Sequence, residues 1–159
     1  MRALRTSARI LLGVLMSGAG ILHLTLARTD FRAQVPDWFP LDEDLTVLGS
    51  GVVEIALGLA LLLARRRRRT AGLALAAFYL AILPGNVGQY LEDVSAFGLD
   101  TDAARLARLP FQALLVLWAL WAGEVLDPDP DAVDAAREGA RVRRARVATA
   151  IVVVLVLLV

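Results

Sequence analysis

Residues 45–90 read LTVLGSGVVEIALGLALLLA (45–64), RRRRR (65–69) and TAGLALAAFYLAILPGNVGQY (70–90). Two apolar blocks of about 20 residues, each long enough for a helix to cross hydrocarbon, flank an unbroken run of arginines. Two more blocks of the same kind run from Ile10 to about Ala27 and from Leu106 to Leu126. In lipid the backbone must satisfy its own hydrogen bonds, so each block is read as a helix. The fold class expected is an all-α membrane protein. It would be a four-transmembrane-helix bundle over residues 1–126, with a C-terminal helical tail over 127–159.

Composition agrees. Of 159 residues, 58% are hydrophobic, more than the roughly 45–50% of soluble domains. The chain has no cysteine and one histidine, which removes thiolate ligands, disulfides and multi-histidine metal sites within one chain. A net charge of +1 gives no argument for nucleic acid, and none is expected as a partner. Thirteen of the seventeen arginines fall on one side if four helices alternate: Arg2, Arg5 and Arg9, the run Arg65 to Arg69, and Arg137, Arg141, Arg143, Arg144 and Arg146. Arg28, Arg32, Arg105 and Arg108 fall on the other, with most loop acids. This asymmetry places the N-terminus and residues 127–146 in the cytoplasm of a multi-pass protein of the cell membrane. A cleaved signal peptide is the other reading of the first block. Its length, and Gly13, Ser17, Gly20 and His23 at helix-face spacing, favour a retained helix that packs closely on a neighbour.

The loops and tail carry their own signals. Pro36 and Pro40 bar a regular helix between the first two spans, where Trp38 and Phe39 suit the headgroup level. A short helix is expected in the third loop after Asp100 or Thr101. The tail opens on Asp127-Pro128-Asp129-Pro130-Asp131, a helix-start signal, and ends in an apolar run, 147–159, short for a span. Whether that run spans, dips into the bilayer or projects beyond it is left open by the sequence.

Each span carries one conspicuous polar residue: His23, Glu54, Asn86 and Gln112, with Arg108 one turn before Gln112. At about 1.5 Å per residue, His23 and Asn86 lie ~21 and ~24 Å in from the cytoplasmic side, and Glu54 and Gln112 ~13 and ~9 Å in from the other. All therefore fall in the outer half. Gly51, Glu54 and Gly58 form one packing face. Gly72, Ala76, Tyr79, Leu83 and Asn86 form a second. Arg108, Gln112, Leu115, Ala119 and Ala122 form a third. Pro84 frees backbone carbonyls that can join the polar layer. Two arrangements remain open. One is a closed network in which Glu54 pairs with Arg108 while His23 and Gln112 close hydrogen bonds. The other is an outer-facing pocket in which His23, Glu54, Asn86, Arg108 and Gln112 bind a ligand. His23, Glu54 and Asn86 are a poor metal set, and no metal is expected. Tyr79 is read as packing, Glu124 as solvated, and the Arg65 to Arg69 run as a topology anchor that also meets anionic lipid.

Five pieces, in order, resemble the DoxX-like family of small four-helix membrane proteins, which includes the MauE type. They are Gly20-Ile21-Leu22-His23-Leu24, Val35-Pro36-Asp37-Trp38-Phe39-Pro40, Gly49-Ser50-Gly51-Val52-Val53-Glu54-Ile55-Ala56-Leu57-Gly58, Leu83-Pro84-Gly85-Asn86-Val87 and Arg108-Leu109-Pro110-Phe111-Gln112. The resemblance covers residues 5–125 and not the tail. It implies a four-helix bundle in a redox setting, with a quinone as the cofactor class; the residues themselves name none. The function expected is a redox-associated accessory protein, not a self-sufficient enzyme, that binds a quinone-like or other small amphipathic ligand. The alternative is a non-enzymatic assembly factor or scaffold using its charged tail. Membrane lipids, a membrane or peripheral redox protein and a second copy of the chain are the partners this reading brings. Family roles that need a thiol have no residue here to carry them.

Overall fold

A computed structural model describes residues 2–127, 134, 137–141, 143 and 144. Among them every regular element is helical: α1 (Arg2–Leu24), α2 (Arg28–Arg32), α3 (Glu43–Leu63), a 3-10 turn (Arg65–Arg67), α4 (Arg68–Ala81), α5 (Leu83–Leu91) and α6 (Asp102–Ala122). Four stretches are long and apolar enough to cross a membrane: α1, α3, the α4–α5 pair taken together, and α6. The chain divides between Leu126 and Asp127. In the second unit Asp134 pairs with Arg137 one turn on, at 3.6 Å, with both side chains exposed. Residues 134, 137–141, 143 and 144 are helical; the other residues of the expected tail helix, and the run 147–159, lie outside the described residues.

Helix ends follow local chemistry. Asp42 caps α3, its carboxylate accepting from the amides of Asp44 and Leu45. Thr101 caps α6, its hydroxyl accepting from the Ala104 amide. That corrects the third-loop expectation. The helix starting after Thr101 is no separate short one but the first turns of α6 itself. The first span ends at Leu24, three residues before the expected Ala27, in a turn closed by the amides of Thr25 and Ala27 on the Leu22 carbonyl. The fourth ends at Ala122, not Leu126, because the chain turns at Gly123 and at Glu124, whose φ is +58°.

Small residues set the helix spacing. A Cβ on Gly20 would lie 2.5 Å from the Gly51 carbonyl oxygen, and one on Gly58 would lie 2.7 Å from that of Gly13. α1 and α3 are therefore antiparallel and in backbone contact along one stripe. α4 and α6 meet the same way, through Gly72 and Gly123. The apolar core gathers Leu12 and Met16 of α1, Leu61 of α3, Ala71, Leu75, Ala76 and Tyr79 of α4, and Ala119 and Ala122 of α6. These positions share one end of the helices, the end that carries the Arg65 to Arg69 run. Tyr79 is packing: its hydroxyl donates to the Met16 sulfur at 3.4 Å. Glu124 is not merely solvated, since its Oε2 lies 2.6 Å from Arg68 Nη2.

Candidate functional site

The buried polar side chains collect at the other end. His23, Glu54, Asn86, Gln89, Arg105 and Gln112 are all 3–7% exposed. The Gly20–Gly51 contact brings His23 and Glu54 face to face, one turn further along each helix. His23 Nδ1 lies 2.9 Å from the Ala19 carbonyl oxygen, its hydrogen-bond acceptor, and 3.0 Å from Glu54 Oε2. A carbonyl only accepts, so the proton on Nδ1 is directed at Ala19. Glu54 Oε2 is left buried without a hydrogen-bond donor. Phe31 lies flat on the imidazole, with ring centroids 3.3 Å apart and planes 16° apart.

Asn86 and Gln112 form a second pair. Asn86 Nδ2 donates to Gln112 Oε1 at 3.2 Å, and Gln112 Nε2 donates to the Tyr79 carbonyl at 2.7 Å. The helix breaks at Ile82, between α4 and α5, with Pro84 opening α5. A side chain of α6 thus satisfies a carbonyl beside that break.

Arg108 does not pair with Glu54, which removes that element of the closed-network arrangement. Its Nη1 donates to Gln89 Oε1 at 3.0 Å and its Nη2 to Gln34 Oε1 at 3.2 Å, while Gln34 Nε2 donates to Gln89 Oε1 at 2.8 Å. The guanidinium also sits 5.6 Å from the centre of the Phe97 ring, and Phe97 meets Phe31 edge-on at 4.6 Å. Phe97 has a φ of +57°, a left-handed backbone that costs about 1–3 kcal/mol outside glycine. Its neighbours hold it there: Arg105 donates to the Leu99 carbonyl at 3.3 Å and to Asp93 and Asp102 at 3.1 and 2.6 Å, pinning the loop that carries it.

The loop between α1 and α3 closes over this layer. Arg28 makes a two-pronged ion pair with Asp44, its Nε donating to Oδ1 at 2.7 Å, and this hydrogen bonding raises the guanidinium pKa. Gln34 is tied to Gln89 and Arg108, as above. Beneath the loop is a cavity of about 260 Å³. His23, Glu54, Asn86 and Arg108 reach its wall, as do Ser50 and Gln34; Phe31, Trp38 and Phe39 supply aromatic surface. Gln112 does not reach the wall and stands behind Asn86. Among the described residues no three His, Asp or Glu side chains gather as a metal site.

Gln34, Gln89, Phe31 and Phe97 were not singled out by the sequence. Gln89 had a usable signal, three residues after Asn86 on the same helical face. Gln34, Phe31 and Phe97 lie outside the long helices, where periodicity gives no guide.

Residues 12–123 match the model of a domain of unknown function, DUF8561. No curated protein and no solved structure gives a significant match. The matched segment takes in His23, Glu54, Asn86, Arg108 and Gln112 together with the helices that hold them, and the chain belongs to the DUF8561 family.

Proposed function

We propose that this is a multi-pass protein of the cell membrane whose four helical spans hold a small amphipathic ligand in the cavity walled by His23, Glu54, Asn86 and Arg108. The N-terminus and residues 127–146 face the cytoplasm, and the cavity opens in the outer half. The ligand class is quinone-like, and the protein serves a redox system as an accessory subunit. The motifs that resemble the DoxX-like family supply this redox setting. Asn86 is held by Gln112 and acts with Arg108 to orient the ligand, while Glu54 and His23 meet its polar groups.

The observation that carries the reading is the Glu54 carboxylate: the residue lines the cavity, and its buried Oε2 makes no hydrogen bond. A buried acceptor left without a donor costs about 1–3 kcal/mol, so its retention in a residue that lines a cavity favours an occupant. The residues fit a quinone-like ring, with aromatic surface for its faces and polar groups for its oxygens. The membrane placement is supported by the outward apolar side chains of the four spans, among them Val14, Ile21, Val52, Leu73, Leu114 and Leu117, and by the arginine asymmetry.

The test is binding of a short-tailed benzoquinone and its quinol to the protein in nanodiscs, with empty nanodiscs subtracted. Wild type saturates, and Glu54→Gln and His23→Ala each weaken binding of at least one form by tenfold or more. Unchanged affinity in both variants removes the pocket.

A further inference from the structure

We infer that the cavity selects a phenolic ligand, an aromatic ring whose hydroxyl donates its hydrogen to the Glu54 carboxylate. The inference rests on the ligand-binding reading above and narrows it to the hydroxyl-bearing form of the ring.

Several hydrogens on the cavity wall are already spent inside the protein. Ser50 Oγ donates to the Val47 carbonyl at 3.1 Å, and Thr46 Oγ1 to that of Asp42 at 2.8 Å. Asn86 Nδ2 is committed to Gln112, His23 Nδ1 to Ala19, and Gln34 Nε2 to Gln89. Each of these residues lines the cavity, and each spends a hydrogen inside the protein. Asn86 and Gln34 each keep a second amide hydrogen, and Arg108 keeps further N–H groups, so the wall still offers donors. The acceptor it leaves unmatched is the Glu54 carboxylate: the residue is 4% exposed, and its Oε2 makes no hydrogen bond, the nearby His23 Nδ1 at 3.0 Å being directed at Ala19. A ring carbonyl brings this carboxylate a further acceptor; a hydroxyl brings the missing hydrogen.

Two further observations choose among donors. The wall contributed by Phe31, Trp38 and Phe39 suits a flat ring. A cavity of about 260 Å³ lies just under the ~300–1,000 Å³ of drug-sized pockets, which favours one ring with a short substituent. An ammonium group is the other donor a carboxylate would take. Arg108 argues against it: this cation also lines the cavity, and its hydrogen-bond partners are the neutral side chains of Gln34 and Gln89. A second cation there would share the cavity with a like charge.

The experiment compares 4-propylphenol with 4-propylanisole, which differ in the hydroxyl hydrogen and one methyl group, and with 3-phenylpropylammonium. Binding is read by titration calorimetry on the full chain in nanodiscs, with empty nanodiscs subtracted. Wild type binds the phenol at least tenfold more tightly than either other probe. In Glu54→Met, which keeps side-chain bulk without the acceptor, the preference for phenol over anisole falls below threefold. Glu54→Gln keeps a carbonyl acceptor and retains an intermediate preference, and it carries the comparison if the methionine variant does not fold. Equal wild-type affinity for phenol and anisole, or tighter binding of the ammonium probe, overturns the inference and leaves the ligand-binding reading standing. No saturable binding by phenol, anisole, ammonium, quinone or quinol overturns both.

Discussion

The Gln112 side chain donates to the Tyr79 carbonyl at 2.7 Å and accepts from Asn86 Nδ2 at 3.2 Å. One residue of α6 thereby repairs the backbone beside the α4–α5 break and fixes the amide that faces the cavity. The break and the repair are a single device. It lets a helix bend at Ile82 without stranding a carbonyl.

Gln112→Leu removes both bonds at nearly constant bulk. A buried carbonyl and a buried amide then lose their partners, at about 1–3 kcal/mol each. The variant is expected to unfold several degrees lower in detergent, with its helix content at low temperature intact by circular dichroism. A melting temperature within a degree of wild type would mean that Tyr79 and Asn86 find other partners.

Gly20 and Gly51 bring α1 and α3 together just before His23 and Glu54. Gly20→Val forces a side chain against the Gly51 carbonyl, a backbone atom that cannot step aside. Overpacking of this kind costs about 1–3 kcal/mol. The variant should lose both thermal stability and probe binding. Gly18→Val, at a site with open space around it, should keep both. Equal behaviour of the two variants would show that the close approach is not needed.

Arg108 holds the first loop from above the cavity. Arg108→Leu deletes the donors to Gln34 and Gln89, at about 1.5–3 kcal/mol for bonds to a charged group. Hydrogen exchange is the readout. Residues 30–40 should exchange at least tenfold faster, while α3 keeps wild-type protection. Unchanged exchange in the loop would assign its order to the Arg28–Asp44 pair instead.

The absence of cysteine makes topology directly measurable, since any introduced thiol is unique. Trp38→Cys is expected to react with a membrane-impermeant maleimide on intact cells. Arg66→Cys should react only after permeabilisation. The reverse pattern would invert the protein and move the cavity to the cytoplasmic half.

Much of this arrangement was legible because helices have a fixed rise and a fixed angular step. Depth placed His23, Glu54, Asn86 and Gln112 in one layer, and the structure brings His23 to Glu54 and Asn86 to Gln112. The glycine stripes showed which faces would meet. What the pattern could not show was pairing across the layer. The closed-network arrangement pairs Glu54 with Arg108, but two glutamines, one of them in a loop, take the guanidinium. The short segments between the spans have no usable period, so Phe31, Gln34 and Phe97 were invisible until tertiary contacts placed them. Phe97 illustrates this most clearly, because its left-handed backbone is held by contacts remote in sequence and not by its own preference. Gln112 was read as part of the ligand wall, whereas its partners place it one layer behind.

The most direct test of the account is to fill the cavity without touching its hydrogen-bonding groups on α1 or α5. Ser50 lines the space from α3, and Ser50→Phe puts a ring there. Binding of the short-tailed benzoquinone and its quinol is then measured in nanodiscs beside the melting temperature. The account predicts that saturable binding disappears while the variant melts within a few degrees of wild type. Wild-type affinity in a stably folded Ser50→Phe protein would contradict it, because the ligand would then be seated elsewhere.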